Sequence, residues 1–290
     1  MFQTIEELVA LAHEHGSIHE AMIVTEIENS QLSRELIWEH MGKNLDVMMA
    51  SIEKGVKGVT SVTGLTGGDA PRMKAYIEEG NFLSGKTILT AAQNAIAVNE
   101  VNAEMGVICA TPTAGSAGVA AGVLSALTEE RGLTREQQIN FLFTAGAVGL
   151  VIANNASISG AAGGCQAEIG SASAMASAAL VEVCGGTPEQ SAEAVAITIK
   201  NMLGLICDPV AGLVEVPCVK RNALGASQAY ISADMALAGI TSIIPPDEVI
   251  EAMHQVGMQM PSIFKETSEG GLAATKTGKA IKNRIFPKEN

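Results

Sequence analysis

The sequence predicts an all-α protein, a single large helical domain with Gly/Ser/Thr-rich loops around a central metal site. Helix caps recur along the chain, and no segment sustains the period-two alternation of paired hairpin strands. Three cysteines stand beside Gly or Pro in the loops, where packing alone does not require them.

The elements follow in order. Thr4-Ile5-Glu6-Glu7 and Ser17-Ile18-His19-Glu20 have capping-box spacing, with Gly16 as a stop between the two helices they open. Apolar residues at Leu32, Leu36, Ile37, Met41, Leu45, Met48 and Met49 predict a helix within 31–55. Asp69 and Pro71 start another toward Glu79, and 87–104 forms the next. Thr134-Arg135-Glu136-Gln137 caps an apolar helix to about Asn154, and Thr187-Pro188-Glu189-Gln190 opens one to about Leu203. Helices over 220–238 and 247–260 complete the set, and only 58–62 reads as a short strand.

Hydrophobic residues make up 47% of the 290 residues and aromatics only 3%, with 30 glycines, so the core must pack through small residues and close backbone approach. A net charge of −13 without a basic stripe argues against a nucleic-acid partner. Lys276, Lys279, Lys282, Arg284 and Lys288 gather near the C-terminus and read as a solvated tail. The start, Met1-Phe2-Gln3-Thr4, has neither the basic region nor the apolar run of a secretion signal. Five cysteines, an odd number, fit a reducing cytoplasm. Mean hydropathy is +0.26, and 105–128 and 137–167 carry no Asp, Glu, Lys or Arg. Their Ala, Gly, Ser and Thr content, Pro112 and the pair Asn154-Asn155 point to buried helices rather than membrane spans.

Four loops rich in Gly, Ser, Thr, Asn and Pro separate the helices, at 60–69, 110–118, 154–165 and 204–217. Cys165 follows Gly163-Gly164, Cys207 opens Cys207-Asp208-Pro209-Val210-Ala211-Gly212, and Cys218 closes Val216-Pro217-Cys218. Three thiolates converging on a point would make a metal centre with one open position, and three separate packing cysteines are the alternative. Cys109 and Cys184 lack the Gly/Pro setting and read as packing residues.

The segments Ala110-Thr111-Pro112-Thr113-Ala114-Gly115-Ser116-Ala117-Gly118, Gly164-Cys165-Gln166-Ala167-Glu168-Ile169-Gly170 and Cys207 through Cys218 resemble the iron–sulfur L-serine dehydratases. The chain looks like the separate α, or catalytic, subunit of the two-subunit bacterial form, over roughly 60–240. The resemblance implies a [4Fe-4S] cluster held by Cys165, Cys207 and Cys218, with one iron free of protein ligand. It implies a lyase that turns L-serine into pyruvate and ammonia, in serine catabolism feeding gluconeogenesis, within a cytoplasmic oligomer that includes a regulatory β subunit. It also implies a single catalytic domain over 1–290: N-terminal helices 1–58, a cluster- and substrate-binding core 59–242 and C-terminal helices 243–290.

An open iron would act as a Lewis acid on the substrate β-hydroxyl. The loop at 111–118 precedes an apolar helix whose free N–H groups would take the carboxylate, and 61–64 is a second donor-rich loop. Ser61, Thr63, Thr111, Thr113 and Ser116 are the substrate-binding candidates, with ordinary capping and turn chemistry as the alternative. No base is evident, since His13, His15, His19, His40 and His254 all lie outside the four loops. Lys220 and Asn222, with Arg221 between them, follow Cys218 closely and are the remaining candidates, although a solvent-facing helix start explains Lys220 equally. Fused members and partner subunits carry Ser-Ser-His-Thr where this chain has Val62 between Ser61 and Thr63, which leaves open a histidine from a second polypeptide. Single-chain members end in a cysteine that occupies the open iron, whereas this chain ends Lys288-Glu289-Asn290. A pyridoxal-phosphate dehydratase of the same reaction and a non-catalytic metal-stabilised scaffold are the competing functions.

Overall fold

The computed structural model describes residues 2–287, and the Lys288-Glu289-Asn290 end falls outside them. Among the described residues thirteen α-helices make the fold. They are α1 (Ile5–His15), α2 (Ile18–Ser30), α3 (Arg34–Lys57), α4 (Asp69–Glu79), α5 (Lys86–Ala103), α6 (Ala117–Arg131), α7 (Arg135–Asn155), α8 (Gly160–Gly163), α9 (Ser171–Val183), α10 (Pro188–Met202), α11 (Cys218–Leu237), α12 (Pro246–Gln259) and α13 (Lys276–Ile285). A π-helical turn, Gln166–Gly170, leads into α9.

The predicted starts are real caps. The Thr4 and Ser17 hydroxyls accept from the N–H of Glu7 and Glu20, and Thr134 and Thr187 form complete capping boxes with Gln137 and Gln190. Each satisfies donors that the first helical turn leaves without partners. The expected strand at 58–62 does not form. A single antiparallel bridge joins Thr60 to Gly67, and among the described residues there is no strand. Two residues of pairing close a loop but cannot extend a ladder past the glycines at 64, 67 and 68. The basic C-terminal segment is α13 rather than a tail, because the Thr275 hydroxyl accepts from Gly278 N–H and caps it; its basic residues remain exposed.

Two helices carry the interior. α9 is buried from Ser171 to Val181 and packs on α6, α7, α10 and α11, while α5 is buried from Thr90 to Val101 and packs on α3, α4, α6 and α11. Alanine recurs in both, with serine in α9, and glycines of the neighbouring helices let backbones come close. A Cβ on Gly55 of α3 would lie 2.3 Å from the Ala97 carbonyl oxygen of α5, and one on Gly118 of α6 would lie 2.2 Å from that of Ala95. Buried hydroxyls find partners within this core: Ser173 donates to Gly225 O at 2.7 Å and Thr198 donates to Ser177 at 3.0 Å.

One buried acid sets the position of a loop. Gly68, which precedes α4, has no side chain with which to cap it, and Glu100 from α5 does so instead. Its carboxylate accepts from Asp69 N–H at 2.8 Å and from Ala70 N–H at 3.3 Å. Burial pushes the Glu100 carboxyl up, against those two donors. The 60–69 loop is thereby tied to the most buried face of α5. No helix among the described residues is long and apolar enough to cross a membrane.

Gly55→Ala is expected to lower unfolding free energy by about 1–3 kcal/mol, since the new methyl meets backbone that cannot turn aside. Gly146→Ala in α7, where a Cβ meets nothing within 4 Å, is expected to raise it by about 0.5–1 kcal/mol. Urea titrations of the two variants beside the parent check both signs.

Candidate metal centre and its surrounding loops

Three chain segments bring the thiols together. Cys165 lies between α8 and the π-helical turn, after Gly164 at φ +77, where a Cβ would press on Met260 Sδ at 2.7 Å. Gln166 anchors that turn: its N–H donates to Leu205 O, its amide donates to Met253 O, and its Oε1 accepts from Gly204 N–H. Cys207 is pinned through its backbone, donating to Phe264 O and accepting from Glu266 N–H, each near 2.9 Å or below. Cys218 is the first residue of α11.

Cys165 and Cys207 are each 3% exposed, and Cys218 is half-buried. Burial pushes the Cys165 thiol up to about 11, with Arg221 pulling against it. It pushes Cys218 up to about 12, aided by the charges on Cys165 and Glu168. Cys207 is raised also, by burial first and then by Cys165, Glu168 and Cys218. The three thiols therefore share one electrostatic neighbourhood, in which burial disfavours their thiolate forms. Among the described residues no three His, Cys, Asp or Glu side chains gather closely enough for a single metal ion.

Arg221, which the sequence placed near Cys218 between Lys220 and Asn222, is the cation of this neighbourhood. Burial disfavours its charge, but Cys165 and Asp208 more than offset that and hold it ionised. Its Nη2 lies 2.8 Å from Asp208 Oδ1, paired as charge rather than by an aligned hydrogen bond, and its Nη1 donates to Ile206 O at 2.8 Å. Asp208 Oδ2 in turn accepts from Leu272 N–H at 2.7 Å, and a Cβ on Gly271 would lie 2.3 Å from that oxygen.

Glu168, three residues after Cys165 in the 164–170 segment, carried no role assigned from the sequence. Burial pushes its carboxyl up. Oε1 accepts from the Thr113 hydroxyl at 2.8 Å. A Cβ on Gly115 would fall 3.2 Å from Oε1, and one on Gly160 would fall 2.7 Å from Oε2 and 3.0 Å from Cys207 Sγ. The glycines of two loops thus make room for this carboxyl beside the thiols.

The substrate-binding candidates divide between two loops. Thr113 faces Glu168, while Thr111 donates to Cys109 O at 3.1 Å and Ser116, fully buried, donates to Thr111 O at 3.1 Å. The expected free N–H groups at the start of α6 are not free. Ala117 donates to Ala114 O, Gly118 to the side-chain oxygens of Asn99 and Asn222, and Val119 to Ser116 O. In the other loop the Ser61 and Thr63 hydroxyls lie 3.3 Å apart, and Thr63 donates to Glu215 Oε1 at 2.7 Å. Asn222 is fully buried and joins Gly115 O, Gly118 N–H and the Cys218 carbonyl. Lys220 points away from the thiols, 64% exposed at its side chain, with Nζ 2.6 Å from Asp69. Cys109 and Cys184 are half-buried and pack against the hydrophobic core. A cavity of about 500 Å³ between α3, α4, α5 and α6 is lined by Lys57, Lys74 and Lys86 among others and by no cysteine.

The fold is an all-α domain in which three cysteines from separate segments share one electrostatic neighbourhood. The chain belongs to the serine dehydratase alpha chain family, whose model matches residues 13–273. It is 63% identical over 287 residues to the probable L-serine dehydratase alpha chain of Bacillus subtilis, covering 99% of this chain and 96% of that one. It is 45% identical, over an alignment of 292 residues, to the L-serine dehydratase alpha chain of Peptoniphilus asaccharolyticus, covering 99% of it. The L-serine dehydratase of Streptomyces coelicolor matches at 39% over 281 residues, 94% of this chain but 60% of that longer one.

Replacing Arg221 by Met leaves Asp208 buried without its cation and is expected to lower stability by about 3–5 kcal/mol. Chemical denaturation followed by circular dichroism measures it, and a loss under 1 kcal/mol is incompatible with the pair as described.

Proposed function

We propose that this chain is the catalytic α subunit of an L-serine dehydratase, converting L-serine to pyruvate and ammonia, with Cys165, Cys207 and Cys218 as ligands of a [4Fe-4S] cluster. One observation carries the reading: three buried thiols that interact with one another and with Arg221, in a family whose relatives bear that activity in their names. The donor set suits such a group. Thiolates are soft ligands, and a buried guanidinium beside them offsets negative charge. A bound cluster would supply a Lewis acid for the substrate hydroxyl.

The chain's own residues do the rest of the work. Loss of water from serine needs the α-proton removed and the departing oxygen protonated, after which the enamine hydrolyses to pyruvate and ammonia. Glu168, whose carboxyl burial pushes up, is the acid placed beside the thiols to exchange a proton at Oε2. Ser61, Thr63 and Thr113 supply hydroxyls to the substrate's polar groups, while Asn222 fixes the 111–118 loop against α11. Lys220 serves the fold, because its ammonium is committed to Asp69. That commitment, in a chain with no strand among the described residues, also counts against a pyridoxal-phosphate site.

A separate β chain completes the enzyme in this reading. The Streptomyces relative carries the matched region within a longer chain, whereas the Bacillus and Peptoniphilus α chains are matched almost end to end. The docking place is the 60–69 loop, where Val62 is 81% exposed beside the buried Ser61.

The reading is tested on anaerobically prepared protein by iron and sulfide analysis. Cys165→Ser, Cys207→Ser and Cys218→Ser are each expected to abolish the broad visible absorption and serine turnover, while Cys109→Ala and Cys184→Ala keep both. Absorption retained in any of the first three sinks the ligand assignment. Turnover is expected to vanish in air and to return with ferrous iron and thiol, and to rise when the β chain is added. Full activity of the isolated chain, unchanged by the β chain, refutes the two-subunit arrangement.

A further inference from the structure

Glu215 occupies the segment between Cys207 and Cys218 and is 5% exposed. Its Oε1 accepts from Thr63, and its Oε2 is shielded from solvent with no hydrogen-bond partner in the fold. A carboxylate oxygen in that position forgoes water without receiving a replacement, a state that native structures rarely leave unexplained. Among the described residues no ion pair involves it. The basic side chains nearest in sequence are engaged elsewhere, Lys220 by Asp69 and Arg221 by Asp208.

The surroundings specify what fits. Thr63 and Ser61, 3.3 Å apart, stand on the same side as Oε1. Thr66, in the same short turn, has a buried hydroxyl oxygen that also lacks a partner. The turn itself is held closed by Ser61 N–H to Thr66 O and Gly64 N–H to Ser61 O, and Thr63 lies directly on the carboxylate. The missing partner is therefore a compact cation with several donors, close to a cluster of hydroxyls and within the segment that bears two of the thiols. A primary ammonium group meets that description, having three donors and no acceptor, as in a lysine side chain.

We propose that Glu215 Oε2 receives the α-ammonium group of the amino-acid substrate, entering beneath the Ser61–Gly64 turn, and that this contact selects amino acids over the corresponding hydroxy acids. The inference rests on the serine dehydratase reading and adds a specificity residue to it. Thr63 orients the Glu215 carboxyl group toward the ammonium.

The test compares L-serine with 3-hydroxypropionate, which is serine without its amino group. Binding of each to the anaerobically reconstituted complex with the β chain is measured by calorimetry, together with kcat and KM for serine. Glu215→Gln, with cluster absorption retained, is expected to weaken L-serine by about 10- to 100-fold and to change 3-hydroxypropionate by less than about 3-fold. Glu215→Asp, which keeps the charge, is expected to recover part of the serine affinity and decides the matter if the Gln variant does not fold. Serine affinity unchanged in these variants, or equal losses for both ligands, overturns the inference. An unmodified complex that neither binds nor turns over serine fails the underlying reading instead.

Discussion

The buried ion pair between Asp208 and Arg221 is the contact on which the site's organisation depends. Each partner reaches a different part of the chain. Asp208 belongs to the segment that starts at Cys207 and takes the N–H of Leu272 from beyond α12, while Arg221 belongs to α11 and lies against Cys165. Two charges so thoroughly removed from water are tolerated only when each has its opposite and further donors or acceptors nearby. The fold meets that demand by bringing three distant segments together, and the same demand keeps the three cysteines in one neighbourhood.

Small-residue packing makes such convergence possible. α5 and α9 have no bulky face to hold neighbours away, so α6 and α11 approach until loop backbones, rather than side chains, line the space between helix ends. The π-helical turn at Gln166–Gly170 belongs to the same economy: one wider turn places Cys165 and Glu168 on the same side before α9 resumes regular geometry. Ala211 at φ +59 in the Cys207–Cys218 segment is another departure from ordinary backbone beside the thiols, where strain commonly collects.

Around the thiols the polar groups follow a repeated arrangement. On one side Thr113 gives its hydroxyl to Glu168, and on the other Thr63 gives its hydroxyl to Glu215. In each pair a loop rich in hydroxyls is fastened by a glutamate from a thiol-bearing segment, half-buried at Glu168 and buried at Glu215. The acids differ in what remains free. Glu168 is crowded by two glycine positions next to Cys207, and Glu215 keeps one oxygen with nothing to bind. A site built in this way can treat the two ends of a small polar molecule differently.

By itself the sequence determined the helical class, because caps such as Thr134 with Gln137 and Thr187 with Gln190 act within one turn and need no distant partner. It also singled out Cys165, Cys207 and Cys218, since Gly and Pro beside a thiol mark a fixed loop without reference to the rest of the chain. The role of α13 was hidden, its cap at Thr275 being a single local hydroxyl in a segment whose charge suggested a tail. Only the tertiary structure decided which polar residues face the thiols. Lys220 and Arg221 are adjacent in sequence, yet one reaches Asp69 in solvent and the other Asp208 in the interior, because successive helical residues point about 100° apart and burial selects one of them. Glu168 and Glu215 acquire their environments from loops that lie far away along the chain, and long-range packing of that kind leaves no local mark in the residues themselves.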